Sequence, residues 1–312
     1  MQTYLEENFI IEEENRPTAV ALGYFDGVHI GHQALVRRVL EMAKENGWHS
    51  VVHTFQKAPK SALSGNDQPI QIMSMGEKQD VLQRMGVDIL AADIFSREYS
   101  SHSPEEFVDE VLVRRLGAKG VVCGFHYHFG KKGAGDCNML KELCAQRGIR
   151  CDVIPAVTLY GEVVSSTSIR RYLQEGDMEM VQELLGRPYF VLGTVQRGRR
   201  IGTNVLGFPT INQNIKPECI PLKNGVYVSR VEVDGKWYTG VTNVGSRPSV
   251  QEGQPANIET HILGVNQDLY DREIRVEILH RLRDEVKFDS MEALKEQIAS
   301  DKASAVKFFK KM

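Results

Sequence analysis

The sequence predicts an α/β domain built on a parallel sheet, followed by a smaller antiparallel β-barrel domain that ends in a helix. Two observations support this prediction. Apolar runs of strand length alternate with helical periodicity as far as Gly186, and short strands separated by glycine-rich turns follow. Because 312 residues are ample for two domains, we expect the first domain to span residues 1–186 and the second residues 187–312.

The first domain is predicted from strands that alternate with helices. Its apolar runs of strand length are Thr18–Leu22, Ser50–Phe55, Val87–Phe95, Gly120–Phe125 and Cys151–Val157. Between the first two runs, Gln33–Asn46 places apolar residues at helical spacing. A later helix has a marked start at Ser103-Pro104 and a stop at Gly117. Such repeated β–α units favour a parallel sheet, whose ligands bind at the carboxyl ends of the strands.

The second domain is predicted from a hairpin signal and from alternation. Val226–Val233 and Lys236–Val241 flank Asp234-Gly235, a dipeptide typical of a tight hairpin turn. Ile274–Leu282 alternates apolar and polar residues, as a half-buried strand does. Asp289 is expected to cap a terminal helix.

The composition is that of an ordinary globular protein, with 42% hydrophobic and 25% charged residues. A net charge of −3 without a basic stripe excludes general attraction to nucleic acid or to a membrane surface. No apolar run approaches the roughly 20 residues of a membrane helix, and the acidic N-terminus does not resemble a signal peptide. With five cysteines and no CxxC pair, we expect a cytoplasmic protein with reduced thiols. The oligomeric state stays open, a monomer being one hypothesis.

The most informative segment is the glycine-rich turn between the first strand and the first helix. There the helix N-terminus offers backbone N–H groups to an anion, and two imidazoles can donate hydrogen bonds to phosphate oxygens. The alternative is a surface turn that carries two chance histidines. We predict a binding site for a nucleotide's phosphates, formed by Gly23, Phe25, Asp26, Gly27, His29, Gly31 and His32.

A second polar segment, Ser165–Arg171, precedes a predicted helix of the same domain. The hydroxyls of Ser165, Ser166 and Thr167 can cap that helix, and Arg170 can pair with a phosphate. Capping alone would explain the hydroxyls. Transfer of a nucleotidyl group also needs a cation on the leaving pyrophosphate, which favours a functional role for Arg170.

The second domain carries its own candidate phosphate site. Thr210 and Asn212 lie two residues apart, so on an extended segment they face the same side, while Ile211 faces the other. A hydroxyl and an amide oxygen are hard ligands suited to Mg²⁺. Glycines can let backbone amides approach phosphates closely, and we predict this role for Gly193, Gly198 and Gly202, which precede this pair.

Together these segments resemble the bacterial bifunctional riboflavin kinase/FAD synthetase family over nearly the whole chain. The resemblance implies a Rossmann-like nucleotidyltransferase domain that makes FAD from FMN, and a small β-barrel kinase domain that makes FMN from riboflavin. Both steps would consume ATP, releasing ADP and pyrophosphate respectively, with Mg²⁺ as the cofactor. The motifs that carry it are Gly23–His32, Phe129-Gly130 with Gly135-Asp136, Ser165–Arg170, Pro209–Asn212, Gly240–Pro248 and Ile258–Leu263.

The resemblance also implies roles for individual residues. Glu259 would take the proton from the riboflavin 5′-hydroxyl, although a strand glutamate on a polar face is the simpler interpretation of Glu259 taken alone. His29 and His32 would stabilise adenylyl transfer, with Arg170 on a phosphate. The implied flavin contacts are Asn243, Arg247 and Phe129.

Two segments depart from the family's pattern. Phe55–Pro59 is Phe-Gln-Lys-Ala-Pro, where the family usually has a Phe-Asp-Pro-His-Pro-like segment. His126–Gly130 is His-Tyr-His-Phe-Gly, where the family tends to have Asp-Phe-Arg-Phe-Gly. One alternative is therefore a riboflavin kinase with a degenerate or differently specific nucleotidyltransferase module. Another is a flavin- or nucleotide-binding regulator without turnover, which would not need the base Glu259.

Overall fold

The computed structural model describes residues 1–6, 8–59, 71–197, 210–245, 257–265 and 267–311. These residues form two compact units. The first unit falls within Met1–Gln68 and Met75–Ser165, and the second within Pro69–Ser74 and Ser166–Met312. The segment 166–186, expected to belong to the first domain, thus packs with the second unit. The functional boundary at 186 remains a prediction.

The first unit is built around a six-stranded sheet whose neighbouring strands all run parallel. Across the sheet the order is β1-β4-β3-β2-β5-β6. The direction of winding therefore reverses between β2 and β5, the place where such sheets bind their ligands. The predicted parallel α/β fold is confirmed. In chain order the strands are β1 (Gln2–Tyr4), β2 (Thr18–Leu22), β3 (His49–Phe55), β4 (Ile89–Asp93), β5 (Ala118–Gly124) and β6 (Arg150–Ile154).

Helices connect these strands and cover the sheet. They are α1 (Ile30–Asn46), α2 (Met75–Arg84), α3 (Pro104–Glu106, continued with π-type hydrogen bonds over Phe107–Arg115) and α4 (Cys137–Gln146). Single 3₁₀ turns occur at Glu13–Asn15, Asp26–Val28, Tyr99–Ser101 and Lys131–Gly133. A short hairpin pairs β7 (Thr158–Leu159) with β8 (Glu162–Val163).

The predicted start and stop of α3 are confirmed. Ser103 Oγ accepts a hydrogen bond from the Glu106 amide at 3.1 Å, and the Glu106 carboxylate accepts one from the Ser103 amide at 2.7 Å. This reciprocal pair satisfies two backbone donors at the helix start. Gly117 follows the last turn with φ at +61°, a conformation that suits glycine.

A buried ion network joins the strands β3 and β4 to α3. Asp93 accepts a hydrogen bond from His53 Nε2 at 2.8 Å and another from Arg115 Nη2 at 2.5 Å. All three side chains are buried. Burial opposes ionisation of Asp93, yet hydrogen bonds and charge from His53, and then from Arg115, hold the pKa of its carboxyl below the usual range.

Replacing Asp93 with Asn is expected to destabilise the first unit by about 3–5 kcal/mol, because it leaves the Arg115 guanidinium buried without its counter-charge. Since the folded pKa of Asp93 is depressed, its stabilising contribution is present above about pH 4 and is lost as pH falls through the folded pKa. Urea unfolding at pH 7 measures the effect. Asp109, half-exposed in a surface pair with Arg147, is the matched control, and Asp109→Asn should change stability by less than about 1 kcal/mol. Equal effects of the two variants would contradict the prediction.

The second unit contains a six-stranded antiparallel sheet with the order β10-β13-β12-β11-β14-β9. Its edge strands meet, because the Gln196 amide donates to the Asn212 carbonyl at 2.8 Å and Gln213 Nε2 donates to the Gly193 carbonyl at 2.6 Å. The sheet thus curls on itself, and the predicted small antiparallel barrel is confirmed. Its strands are β9 (Tyr189–Thr194), β10 (Thr210–Asn214), β11 (Gly225–Val233), β12 (Lys236–Gly245), β13 (Asn257–Ile262) and β14 (Glu273–Arg283).

The local signals of the second unit are met with two corrections. The strand predicted over Ile274–Leu282 forms, but its first six residues are buried on both faces, because Arg275 and Glu277 are paired with each other inside the unit. Asp234 and Gly235 have φ of +52° and +72°, as the predicted β11–β12 hairpin turn requires. The terminal helix forms, but Asp289 is not its cap: Ser290 Oγ accepts from the Ala293 amide at 3.1 Å. Both residue types cap well, and the helix begins one residue later than the aspartate would set it. The helices are α5 (Ser166–Glu175), α6 (Met178–Leu185) and α7 (Met291–Phe309).

Candidate active sites

The turn after β2 has an uncommon backbone conformation. Phe25, Gly27 and Val28 have φ of +53°, +80° and +42°. This region suits glycine, whereas a β-branched residue such as Val28 is an outlier there. Such strain, about 1–3 kcal/mol for each residue, persists only where the surroundings enforce it, and it is concentrated at functional sites. The side chains of Phe25, Asp26 and Val28 are all buried, which provides that enforcement.

The two histidines of this turn are held together at the start of α1. His29 is the N-cap, and its Nδ1 accepts a hydrogen bond from the His32 amide at 3.2 Å. In a neutral ring the proton of His29 then lies on Nε2, which is a hydrogen-bond donor. The two rings stack with centroids 3.6 Å apart. A Cβ on Gly31 would lie 3.1 Å from the His29 ring, so glycine permits this close packing.

This turn stands at the carboxyl end of β2, beside the reversal between β2 and β5. The first-turn amides of α1 and the dipole of this helix favour an anion here. The structure thus brings six predicted residues of the turn, Phe25 to His32, onto one helix start, with Gly23 at the end of β2.

Backbone hydrogen bonds join the two ends of the loop segment 129–135, which follows β5. The Phe129 and Gly135 amides and carbonyls exchange two hydrogen bonds, at 3.0 and 2.9 Å. Phe129, predicted to contact flavin, is only 5% exposed and packs against Phe107 and Tyr127 in the core. The side chains of His126 and His128 are exposed. The loop therefore presents the imidazoles of His126 and His128 to solvent and buries the Phe129 ring, whose contact with flavin remains a prediction.

The serine-rich segment is placed differently from the prediction. Helix α5 begins at Ser166, so Ser166, Thr167 and Arg170 lie inside its first turns rather than before it. Ser165 is the last residue of the first unit, and α5 belongs to the second. The side chains of Ser165, Ser166 and Arg170 are half-buried, and that of Thr167 is exposed.

In the second unit, three predicted residues form one row across the sheet. Asn212 on β10 pairs with Glu259 on β13, which pairs in turn with Asn243 on β12. Residues directly opposite in antiparallel strands share a face, so the three side chains project together. Thr210 Oγ1 donates to Glu259 Oε1 at 2.8 Å. Ile211 is buried on the opposite face, as predicted.

Asn257 and Glu285, which were not predicted from the sequence, complete this face. Asn257 Nδ2 lies 3.5 Å from Asn212 Oδ1, and Asn243 Nδ2 donates to Glu285 Oε1 at 3.1 Å. The signal for Asn257 was its position two residues before Glu259, on the same side of a strand. The face offers hydroxyl, amide and carboxylate oxygens, a donor set that fits Mg²⁺. Among the described residues, no group of three or more His, Cys, Asp or Glu side chains could hold a metal ion.

The remaining predicted residues of the second domain are less informative. Gly193 lies within β9, where its carbonyl accepts the closing hydrogen bond from Gln213. Gly198, Gly202 and Arg247 lie outside the described residues.

The first unit carries paired imidazoles at a helix N-terminus, and the barrel carries a carboxylate among oxygen donors. These features define a class of protein, a two-unit nucleotidyl- and phosphoryl-transferase. The comparisons with known families make this specific. The FAD synthetase family matches residues 11–168, and the riboflavin kinase family matches residues 185–309. The chain belongs to the bifunctional riboflavin kinase/FMN adenylyltransferase family.

Individual relatives agree over nearly their full length. The chain is 34% identical to the bifunctional riboflavin kinase/FMN adenylyltransferase of Bacillus subtilis, covering 96% of this chain and 95% of that protein. It is 36% identical to the Pseudomonas fluorescens protein of the same name, covering 95% and 94%. A crystal structure described as a macrolide-efflux protein from Streptococcus pneumoniae is 31% identical, with a TM-score of 0.86 over 98% of this chain and 99% of that one. Within the described residues, no helix is long and apolar enough to span a membrane.

These matches decide between the alternatives for the first domain. The FAD synthetase match includes both departing segments, 55–59 and 126–130. The bifunctional interpretation is therefore supported, and a kinase with a degenerate nucleotidyltransferase module is not.

Proposed function

We propose that the barrel transfers the γ-phosphoryl group of ATP to riboflavin, with Glu259 as the base. The observation that carries this proposal is the row Asn212–Glu259–Asn243, with the Thr210 hydroxyl bound to the carboxylate at 2.8 Å. Glu259 accepts the proton of the riboflavin 5′-hydroxyl as the oxygen–phosphorus bond forms. The bond from the γ-phosphorus to the bridging oxygen breaks, and ADP leaves.

Mg²⁺ would be held on this face by the oxygens of Thr210 and Asn212. When bound, the ion neutralises charge on the phosphates. The chain's residues do the positioning: Thr210 orients the Glu259 carboxylate, and Asn257 orients the Asn212 amide. Asn243 and Arg247 are the proposed flavin contacts in this unit.

In the second step, a phosphate oxygen of FMN attacks the α-phosphorus of another ATP, giving FAD and pyrophosphate. The proposed task of His29 and His32 is to donate hydrogen bonds to the phosphate oxygens as negative charge redistributes. Arg170, with the hydroxyls of Ser165, Ser166 and Thr167, is proposed to bind phosphate. The strained, buried turn supports this role, since it presents both rings in one fixed arrangement.

The proposed partners are small molecules: riboflavin, FMN, FAD, ATP and ADP, without nucleic acid or membrane. We also propose that the protein works in the reducing cytoplasm. All five cysteines lie in the described part of the chain, and none forms a disulfide.

Replacing Thr210 with Val is expected to slow FMN formation by about 10- to 100-fold, because it removes a metal ligand and the partner of Glu259. The loss in the rate of FMN formation should become smaller as the Mg²⁺ concentration is raised. The rate of adenylylation of added FMN should stay unchanged. Initial rates at several Mg²⁺ concentrations provide the measurement. Thr239→Val on the same barrel, at a half-buried position of β12, is the control. A T210V rate within twofold of the parent would count against the proposed metal face.

A further inference from the structure

A lysine is buried directly beneath the strained turn. Lys78 on α2 is only 3% exposed, although lysine is almost never fully buried unless paired. Its Nζ donates to the Tyr24 carbonyl at 2.8 Å and lies 3.3 Å from Thr54 Oγ1. It also sits 4.6 Å from the centre of the Tyr24 ring. All these groups belong to the first unit.

Burial destabilises the charged form of this ammonium group. Desolvation lowers the pKa of Lys78 to about 8, against the opposing attraction of the buried Asp26 carboxylate. A charge retained in the interior at a cost to stability, next to a functional site, indicates a role beyond packing.

The contacts of Lys78 act on the backbone at the point where the turn begins. The Tyr24 carbonyl accepts two hydrogen bonds, one from Lys78 and one from the Thr54 hydroxyl at 2.7 Å. The next residue, Phe25, has φ at +53°. Both donors therefore fix the peptide that precedes the first left-handed residue.

From that peptide a continuous series of ring contacts leads to the histidines. The Phe25 ring is fully buried, with its centroid 5.1 Å from that of His32. The His32 ring stacks on the His29 ring at 3.6 Å. A shift of the Tyr24 peptide would therefore move Phe25 and, through it, both imidazoles.

We propose that Lys78 is a positioning residue for adenylyl transfer, fixing the Tyr24 carbonyl and thereby the orientation of His32 and His29. This inference rests on the proposed role of the two histidines at the phosphates. Lys78 has no part in riboflavin phosphorylation, which belongs to the other unit. Its buried ammonium acts on the protein rather than on the nucleotide.

The test replaces Lys78 with Met, which keeps most of the volume and removes the donor. Lys44, exposed on α1, supplies the matched control variant K44M. With FMN and ATP, K78M should show kcat lowered by about 10- to 100-fold, because small misplacements of catalytic groups have effects of this size. The KM for ATP should stay within about twofold, the pattern of a contact needed in the transition state. Riboflavin phosphorylation by K78M should equal that of K44M.

A spectroscopic measurement separates positioning from general loss of structure. In K78M the imidazole C–H resonances of His29 and His32 should shift, while those of His49 stay in place. Should K78M fold poorly, Thr54→Val removes the other donor to the Tyr24 carbonyl. This variant should also lose activity in kcat alone, by about threefold or more. In the double variant K78M/T54V, the fold-loss in kcat should be smaller than the product of the two single losses, because both groups act on the same carbonyl oxygen.

The possible outcomes are distinguishable. If K78M keeps the parent's kcat, or if the resonances of His29 and His32 are unchanged in K78M, the proposed role of Lys78 is wrong. This result leaves the phosphate site standing, provided that His32→Ala loses FAD synthesis. If His32→Ala itself keeps FAD synthesis, the proposed phosphate site is wrong, and the positioning role falls with it.

Discussion

Replacing Glu259 with Gln is expected to lower the rate of FMN formation by about 10²- to 10⁴-fold, the usual contribution of general base catalysis. Glutamine keeps the size and the hydrogen bond from Thr210 Oγ1, which spans 2.8 Å to the carboxylate. It cannot accept the proton of the riboflavin 5′-hydroxyl. The loss should therefore appear in kcat, with the KM for riboflavin little changed. Initial rates from riboflavin and ATP, with FMN separated by chromatography, provide the measurement.

The same variant should still convert added FMN to FAD at the parent's rate, because the glycine-rich turn proposed for adenylylation belongs to the other unit. Glu273→Gln, at the exposed start of β14, is the matched control and should leave both steps unchanged. If E259Q loses both steps while remaining folded, or loses neither, Glu259 is not the base of the kinase reaction.

Replacing His32 with Ala is expected to have the opposite selectivity. We expect adenylylation of FMN to fall by about 10²- to 10³-fold, the size of effect seen when a donor to developing charge is removed. The stacked partner His29, 3.6 Å away between centroids, would lose its packing as well. Riboflavin phosphorylation should be unaffected. Rates of FAD and pyrophosphate formation from FMN and ATP measure the effect.

His49 is the control for this prediction. It lies at the first residue of β3, the amino end of the strand, whereas ligands bind at the carboxyl ends. His49→Ala should retain FAD synthesis within about twofold, because His49 lies at the end of the strand away from the proposed site. FAD synthesis that survives in H32A, or a loss shared equally by H49A, would remove the glycine-rich turn from the proposed chemistry.

Local sequence signals were sufficient to predict most of the secondary structure. Thr18–Leu22 forms a strand with the predicted bounds, because a central parallel strand is buried on both faces and is apolar throughout. Ser103 and the Asp234-Gly235 turn were also predictable, since their hydrogen bonds and dihedrals depend on neighbours in the sequence. The cap Ser290 was missed because an equally suitable Asp289 precedes it.

Tertiary features could not be predicted in the same way. The row through Asn212, Glu259 and Asn243 depends on strand register, which the sequence of one strand does not contain. Lys78 follows Glu77 on a helix, a pattern typical of a solvated face. Only the packing of α2 against the turn shows that its ammonium is buried.

The central claim is that one chain carries riboflavin through FMN to FAD at two separate sites. Its most direct test incubates pure, flavin-free protein with riboflavin, ATP and Mg²⁺, and follows all three flavins by chromatography over time. We predict that FMN forms first and that FAD follows at its expense, with ADP and pyrophosphate released. FMN that accumulates without FAD, or riboflavin that remains unchanged, would contradict the claim.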